Sequence, residues 1–123
     1  MLNSGAPLTI GIDLGGTQVR AGLVANGEVL SRAFLPTDVA GGPEAVLAQF
    51  EALVAKVRKA AGERPIDAVG ISAPGPLDSL TGDIIGIPTL PGWEEFPLQD
   101  AAMQRLGLPV TIGSDRIELH HAT

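Results

Sequence analysis

The stretch Gly11-Ile-Asp-Leu-Gly-Gly-Thr-Gln-Val-Arg-Ala-Gly-Leu-Val24 sets an acid, two adjacent glycines and a hydroxyl directly after an apolar run. Backbone amides and the Thr17 hydroxyl can approach a phosphate at such a turn, because no Cβ stands in the way at Gly15 and Gly16. Asp13, just before the turn, can hold Mg²⁺ through water. Two familiar phosphate loops do not fit. A dinucleotide fingerprint needs spaced glycines between a strand and a helix, whereas these glycines are adjacent and a second strand-like run follows. A Walker loop needs Gly-Lys-Ser/Thr, which the chain lacks. What remains is a Gly-Gly-Thr turn between antiparallel strands, or a plain tight hairpin with no ligand. A second acid, Asp115, follows the apolar run Pro109-Val-Thr-Ile-Gly113. It can act as a general base toward a hydroxyl or cap a helix, and on the residues alone the cap is favoured.

The elements that must position these residues follow from periodicity. Residues 7–13, 17–25 and 28–35 read as three antiparallel strands. The Asn26-Gly27 pair makes the second hairpin, since both positions tolerate positive φ. Gly42-Pro43 opens a helix in which Val46, Leu47, Phe50, Leu53, Val54 and Val57 fall on one stripe, and Gly62 ends it. Residues 66–72 are short and apolar, which predicts a central strand covered on both faces. Residues 73–96 are rich in proline and glycine and predict a long loop, functional or flexible, with at most a short strand near 84–87. Asp78 reads best as a turn cap there. Pro97–Leu106 predicts a second helix ended by Gly107, and 109–113 a further strand. The order defines an α/β domain with a mixed sheet.

Composition narrows the function. The chain has 123 residues, 45% of them hydrophobic, enough for one domain with a real core of Val, Leu, Ile and Ala. Its net charge of -6 argues against nucleic acid as a partner. Lys56, Arg58 and Lys59 gather near a helix end, where the helix dipole accounts for them. Cysteine is absent, so no thiolate metal site exists within these residues. The N-terminal residues carry no signal-peptide pattern and no run is long enough to span a membrane, so a cytoplasmic location is expected. His120 and His121 are adjacent and point apart, which makes them poor metal ligands as a pair.

The Asp13-to-Thr17 turn followed by Arg20 resembles the first phosphate loop of the ROK family of bacterial sugar kinases and related repressors. Two further segments, in order, strengthen the likeness. Residues 68–98, AVGISAPGPLDSLTGDIIGIPTLPGWEEFPL, are similar to the family's sugar-site segment, and residues 106–115, LGLPVTIGSD, to the strand leading to its catalytic aspartate. The resemblance implies a ribonuclease H-like domain of the actin, hexokinase and heat-shock chaperone ATPase type. It implies three antiparallel strands followed by α/β units, and ATP with Mg²⁺ as the phosphoryl donor. It implies Asp115 as catalytic base, with Asp13, Gly15, Gly16, Thr17 and Arg20 at the nucleotide phosphates. Gly75, Thr89, Ser114 and Asp115 would meet the sugar, glucose or a related hexose. Trp93 is expected to anchor the loop, and Glu94 and Glu95 to be solvated.

The chain also departs from the pattern. Thr89 and Ser114 stand where the family usually has asparagine, and bulky residues follow Asp115. Residues 116–123 therefore read as an atypical tail. The expected reading of residues 1–123 is the N-terminal lobe of such a kinase, without the second lobe and without the family's zinc motif. Little or no turnover is expected of it alone. A homodimer fits family habit. The alternatives are a sugar-sensing regulator lacking its DNA-binding domain, or a non-catalytic sugar-binding fragment.

Overall fold

The computed structural model describes residues 7–73, 77–78, 83–84, 92–93 and 96–114. Strands β1 (Thr9–Leu14), β2 (Gln18–Ala25) and β3 (Glu28–Pro36) form the antiparallel meander. Helix α1 (Gly42–Val57) continues into a single 3-10 turn over Arg58–Ala61. Strand β4 (Ala68–Ala73) follows, then the two-residue strands β5 (Leu77–Asp78) and β6 (Asp83–Ile84). Helix α2 (Leu98–Leu106) and strand β7 (Val110–Ser114) complete the described chain. The main sheet runs β3-β2-β1-β4-β7, with β1, β4 and β7 mutually parallel.

Local chemistry accounts for these boundaries. Asn26 and Gly27 take φ of 55° and 74°, the left-handed pair that joins β2 to β3 with the twist their pairing needs. Gly107 caps α2 in the left-handed region, and its N–H donates to the Met103 carbonyl. All six residues of the expected α1 stripe are buried, Phe50 completely. They pack on the inward residues of the sheet, including Ile10, Ile12, Val19, Leu23, Val69 and Ile71. Asp67 ties the start of β1 to the approach to β4: its carboxylate accepts from the buried Leu8 N–H at 2.8 Å, and its own N–H donates to the Leu8 carbonyl at 2.8 Å. Arg105 of α2 reaches Glu44 and Glu51 of α1 at 3.3 and 2.9 Å, so the two helices lie together on one side of the sheet.

Two expectations are corrected. Among the described residues, strand β4 is covered on one face, not both: Val69, Ile71 and Ala73 are buried while Gly70 between them is exposed. Inward and outward residues alternate on β1 and β2 in the same way, because both described helices pack on the same side. The apolar run of β4 therefore reflects small outward residues rather than double burial. The second correction concerns the proline-rich segment, which holds a small antiparallel hairpin pairing Leu77 with Ile84 and Asp78 with Asp83. Asp78 pairs with Asp83 as a strand residue, and the strand expected near 84–87 begins at Asp83. Trp93 is 1% exposed and meets Phe96 edge to face at 5.4 Å, the anchoring role expected of it.

Candidate functional site

The turn between β1 and β2 sits at the C-terminal end of β1. The parallel strands β4 and β7 end beside it, so the carboxyl ends of three strands face one side, the usual place for a ligand in such sheets. The ladder closes with Gly15, whose N–H donates to the Gln18 carbonyl at 2.9 Å, leaving Gly16 and Thr17 as the tip. A Cβ on Gly15 would lie 3.0 Å from that same carbonyl oxygen, a tight approach that favours glycine there. Among the described residues, the amides of Gly16 and Thr17 donate to no protein acceptor.

Asp13 is exposed one residue before the end of β1. Its cross-strand neighbours are Arg20 on β2 and Ser72 on β4, with Gly113 of β7 beyond Ser72. Directly opposed residues in antiparallel pairs have Cβ atoms about 5 Å apart. An acid and a guanidinium thus share one row on the uncovered face of the sheet. Arg20 also donates through Nε to Gln18 Oε1 at 3.1 Å. The row below carries Gly22, Gly11 and Gly70 on three neighbouring strands. It floors a broad trough of about 1010 Å³ whose rim includes Asp13, Arg20, Arg32 and Phe34. This trough lies on the sheet face. The amide-bearing tip stands at the strand ends.

The structure brings Asp13, Gly15, Gly16, Thr17 and Arg20 together, and the backbone of Ser114 ends β7 alongside Ala73 of β4. Gly75, Thr89 and Asp115 lie outside the described residues. Two residues absent from the sequence reading also belong to this neighbourhood. Thr37 donates through Oγ1 to the Gly15 carbonyl at 2.8 Å and through its N–H to the Thr17 carbonyl at 3.0 Å. Gln49 of α1 grips the backbone on either side of Thr37: Nε2 donates to the Pro36 carbonyl at 2.7 Å, and Oε1 accepts from the Asp38 N–H at 3.0 Å. A threonine inside Pro36-Thr-Asp-Val-Ala-Gly-Gly-Pro43 reads as loop, and no local signal marks it.

A meander followed by parallel α/β units, with a glycine turn at the strand ends, is the actin-like ATPase fold, and the sheet matches ROK hexokinase structures. The chain belongs to the ROK family, whose model matches residues 9–119. Glucokinase of Streptomyces coelicolor is 36% identical over 109 residues, covering 88% of this chain and 32% of that protein. The crystal structure of a ROK hexokinase from Thermus thermophilus superposes with a TM-score of 0.79 at 33% identity, over 88% of this chain and 35% of that one. A ROK family glucokinase from Streptomyces griseus, solved in complex with glucose and AMPPNP, gives a TM-score of 0.78 at 35% identity, over 88% and 33%. The chain spans about a third of the length of the curated relatives it matches. Among the described residues no helix is long and apolar enough to cross a membrane.

Proposed function

We propose that this chain supplies the phosphate-binding lobe of an ATP-dependent sugar kinase that transfers the γ-phosphoryl group to a hydroxyl of glucose or a related hexose. The observation that carries the reading is the Gly16-Thr17 tip, with amides uncommitted among the described residues, beside the exposed carboxylate of Asp13. Kinship with glucokinases supports the reaction class.

Phosphoryl transfer depends chiefly on positioning and charge stabilisation. In this reading the Gly16 and Thr17 amides and the Thr17 hydroxyl bind phosphate oxygens, and Arg20 balances charge near them. The donor set fits Mg²⁺, a hard cation that takes a carboxylate and retains waters, with Asp13 as its protein contact through water. When bound, Mg²⁺ neutralises developing charge on the phosphates. Gly75, Thr89 and Ser114 meet the sugar. Asp115 orients the attacking hydroxyl and accepts its proton as the oxygen–phosphorus bond forms and ADP leaves. Residues 1–123 act as an N-terminal lobe, and the relatives' greater length supports a second lobe in the working enzyme.

Calorimetry and a coupled glucose assay test this together. The 123-residue chain is expected to bind Mg²⁺–AMPPNP but to turn over glucose far below about 1 per second, the low end for enzymes. Asp13→Asn is expected to weaken the nucleotide with Mg²⁺ present and to leave binding unchanged in EDTA. Wild-type affinity of Asp13→Asn with Mg²⁺ present would remove Asp13 from the metal site.

A further inference from the structure

We propose that Thr37 and Gln49 form a positioning relay that aims the Gly16 amide of the Gly15–Thr17 turn at the phosphate, which makes helix α1 part of the nucleotide site without touching the nucleotide. The inference rests on the phosphate reading of the turn.

The peptide between Gly15 and Gly16 is planar and trans. The Gly15 carbonyl and the Gly16 N–H belong to one peptide plane and point in opposite directions. Whatever holds the carbonyl therefore sets the direction of the amide. Thr37 Oγ1 holds it at 2.8 Å. The same residue holds the Thr17 carbonyl through its own N–H at 3.0 Å. The Gly15 and Thr17 carbonyls, on either side of Gly16, are thus engaged by a single residue on β3's exit, twenty-two positions from Gly15. A phosphate site needs donors and no competing acceptors. Turning two carbonyls inward onto Thr37 clears the outer side of the turn for N–H groups.

Thr37 follows the last residue of β3, where the backbone is no longer held by the sheet ladder. Its position is fixed from the other side. The Gln49 amide donates to Pro36 and accepts from Asp38, the residues immediately before and after it. Asp38 in turn accepts from the Gly41 N–H at 2.9 Å, which ties the segment to the start of α1. A side-chain amide is the group for this task, since it offers a donor and an acceptor from one planar head. Glutamate at position 49 would keep the acceptor and set a negative oxygen against the Pro36 carbonyl. The relay runs from α1 through Gln49 to Thr37 and then to the turn.

Three variants test it: Thr37→Val, which removes Oγ1 and keeps shape and backbone; Thr37→Ser, which restores the hydroxyl; and Gln49→Glu, which lies away from the turn. Each is titrated with Mg²⁺–AMPPNP by calorimetry, with the Gly16 amide followed in ¹H–¹⁵N spectra and the thermal midpoint recorded. Thr37→Val is expected to weaken binding about ten-fold, the upper range for one hydrogen bond, with Thr37→Ser within about three-fold of the wild type. Gln49→Glu is expected to weaken binding and shift the Gly16 amide in the free protein, and its effect should not add fully to that of Thr37→Val. A merely structural threonine would lower the midpoint and leave the affinity of the folded protein unchanged. Thr37→Val and Gln49→Glu binding as tightly as wild type, while Asp13→Asn does not, overturns the relay and leaves the phosphate site standing. A wild-type chain whose Gly16 amide ignores the nucleotide overturns the phosphate reading and the relay with it. If Thr37→Val does not fold, Gln49→Glu decides alone by the same two readouts.

Discussion

Gly15 and Gly11 lie four residues apart in sequence, and replacing each by alanine should give opposite results. A Cβ on Gly11 meets nothing within 4 Å, because it points onto the uncovered sheet face. With no positive φ to violate, Gly11→Ala reduces the freedom of the unfolded chain and should stabilise by about 0.4–1 kcal/mol. A Cβ on Gly15 would press on the Gln18 carbonyl oxygen at 3.0 Å, and that oxygen already accepts the Gly15 N–H at 2.9 Å. Relief needs a shift of a few tenths of an ångström, which stretches the closing bond of the turn and forfeits about 1 kcal/mol. The entropic gain is cancelled, so the two variants should differ by about 1 kcal/mol, or about 4–8 °C in thermal midpoint for a domain near 100 residues. The functional contrast is larger, since Gly15→Ala displaces the tip amides and Gly11→Ala does not. Mg²⁺–AMPPNP affinity should fall about ten-fold in Gly15→Ala, as if one hydrogen bond were lost, and stay at the wild-type value in Gly11→Ala. Scanning calorimetry and titration measure both. A Gly15→Ala protein that gains stability and keeps its affinity would refute the close-approach argument. A Gly11→Ala protein destabilised as much as Gly15→Ala would refute the open sheet face.

Other expectations follow from the core and its ties. Phe50→Ala removes a fully buried ring from between α1 and the sheet and should cost about 3–5 kcal/mol in urea denaturation. Asp67→Ala strands the buried Leu8 N–H and should cost about 1–3 kcal/mol, with Asp67→Asn recovering part of it because the amide oxygen can still accept. Arg105→Ala breaks two surface ion pairs to α1 and should cost about 1 kcal/mol or less, less still at high salt, read from denaturation at two ionic strengths.

Much of the scaffold is legible in the sequence because its signals are local. Asn26-Gly27 specifies a tight hairpin, the α1 stripe repeats at helical spacing, and Gly107 stops α2 where the periodicity ends. The Gly-Gly-Thr turn is legible for the same reason, since Asp13, the two glycines and Thr17 are contiguous. What escapes is the work of long-range contacts. The single-faced burial of β4 depends on where both helices pack, and six apolar or small residues look alike whether one face or two are covered. Thr37 and Gln49 reach the turn through hydrogen bonds spanning 11 to 22 positions, and nothing in their neighbours announces it. The β5–β6 hairpin is two residues on each side, too short for any period to show.

The most direct test of the account follows the backbone amides of the ¹⁵N-labelled chain as Mg²⁺–AMPPNP is added. The largest saturable shifts are expected at Gly16 and Thr17, with the Asn26-Gly27 turn at the far end of β2 unmoved. No saturable shift at the tip, or shifts centred instead on Gly22 and Gly70 in the sheet-face trough, would contradict it.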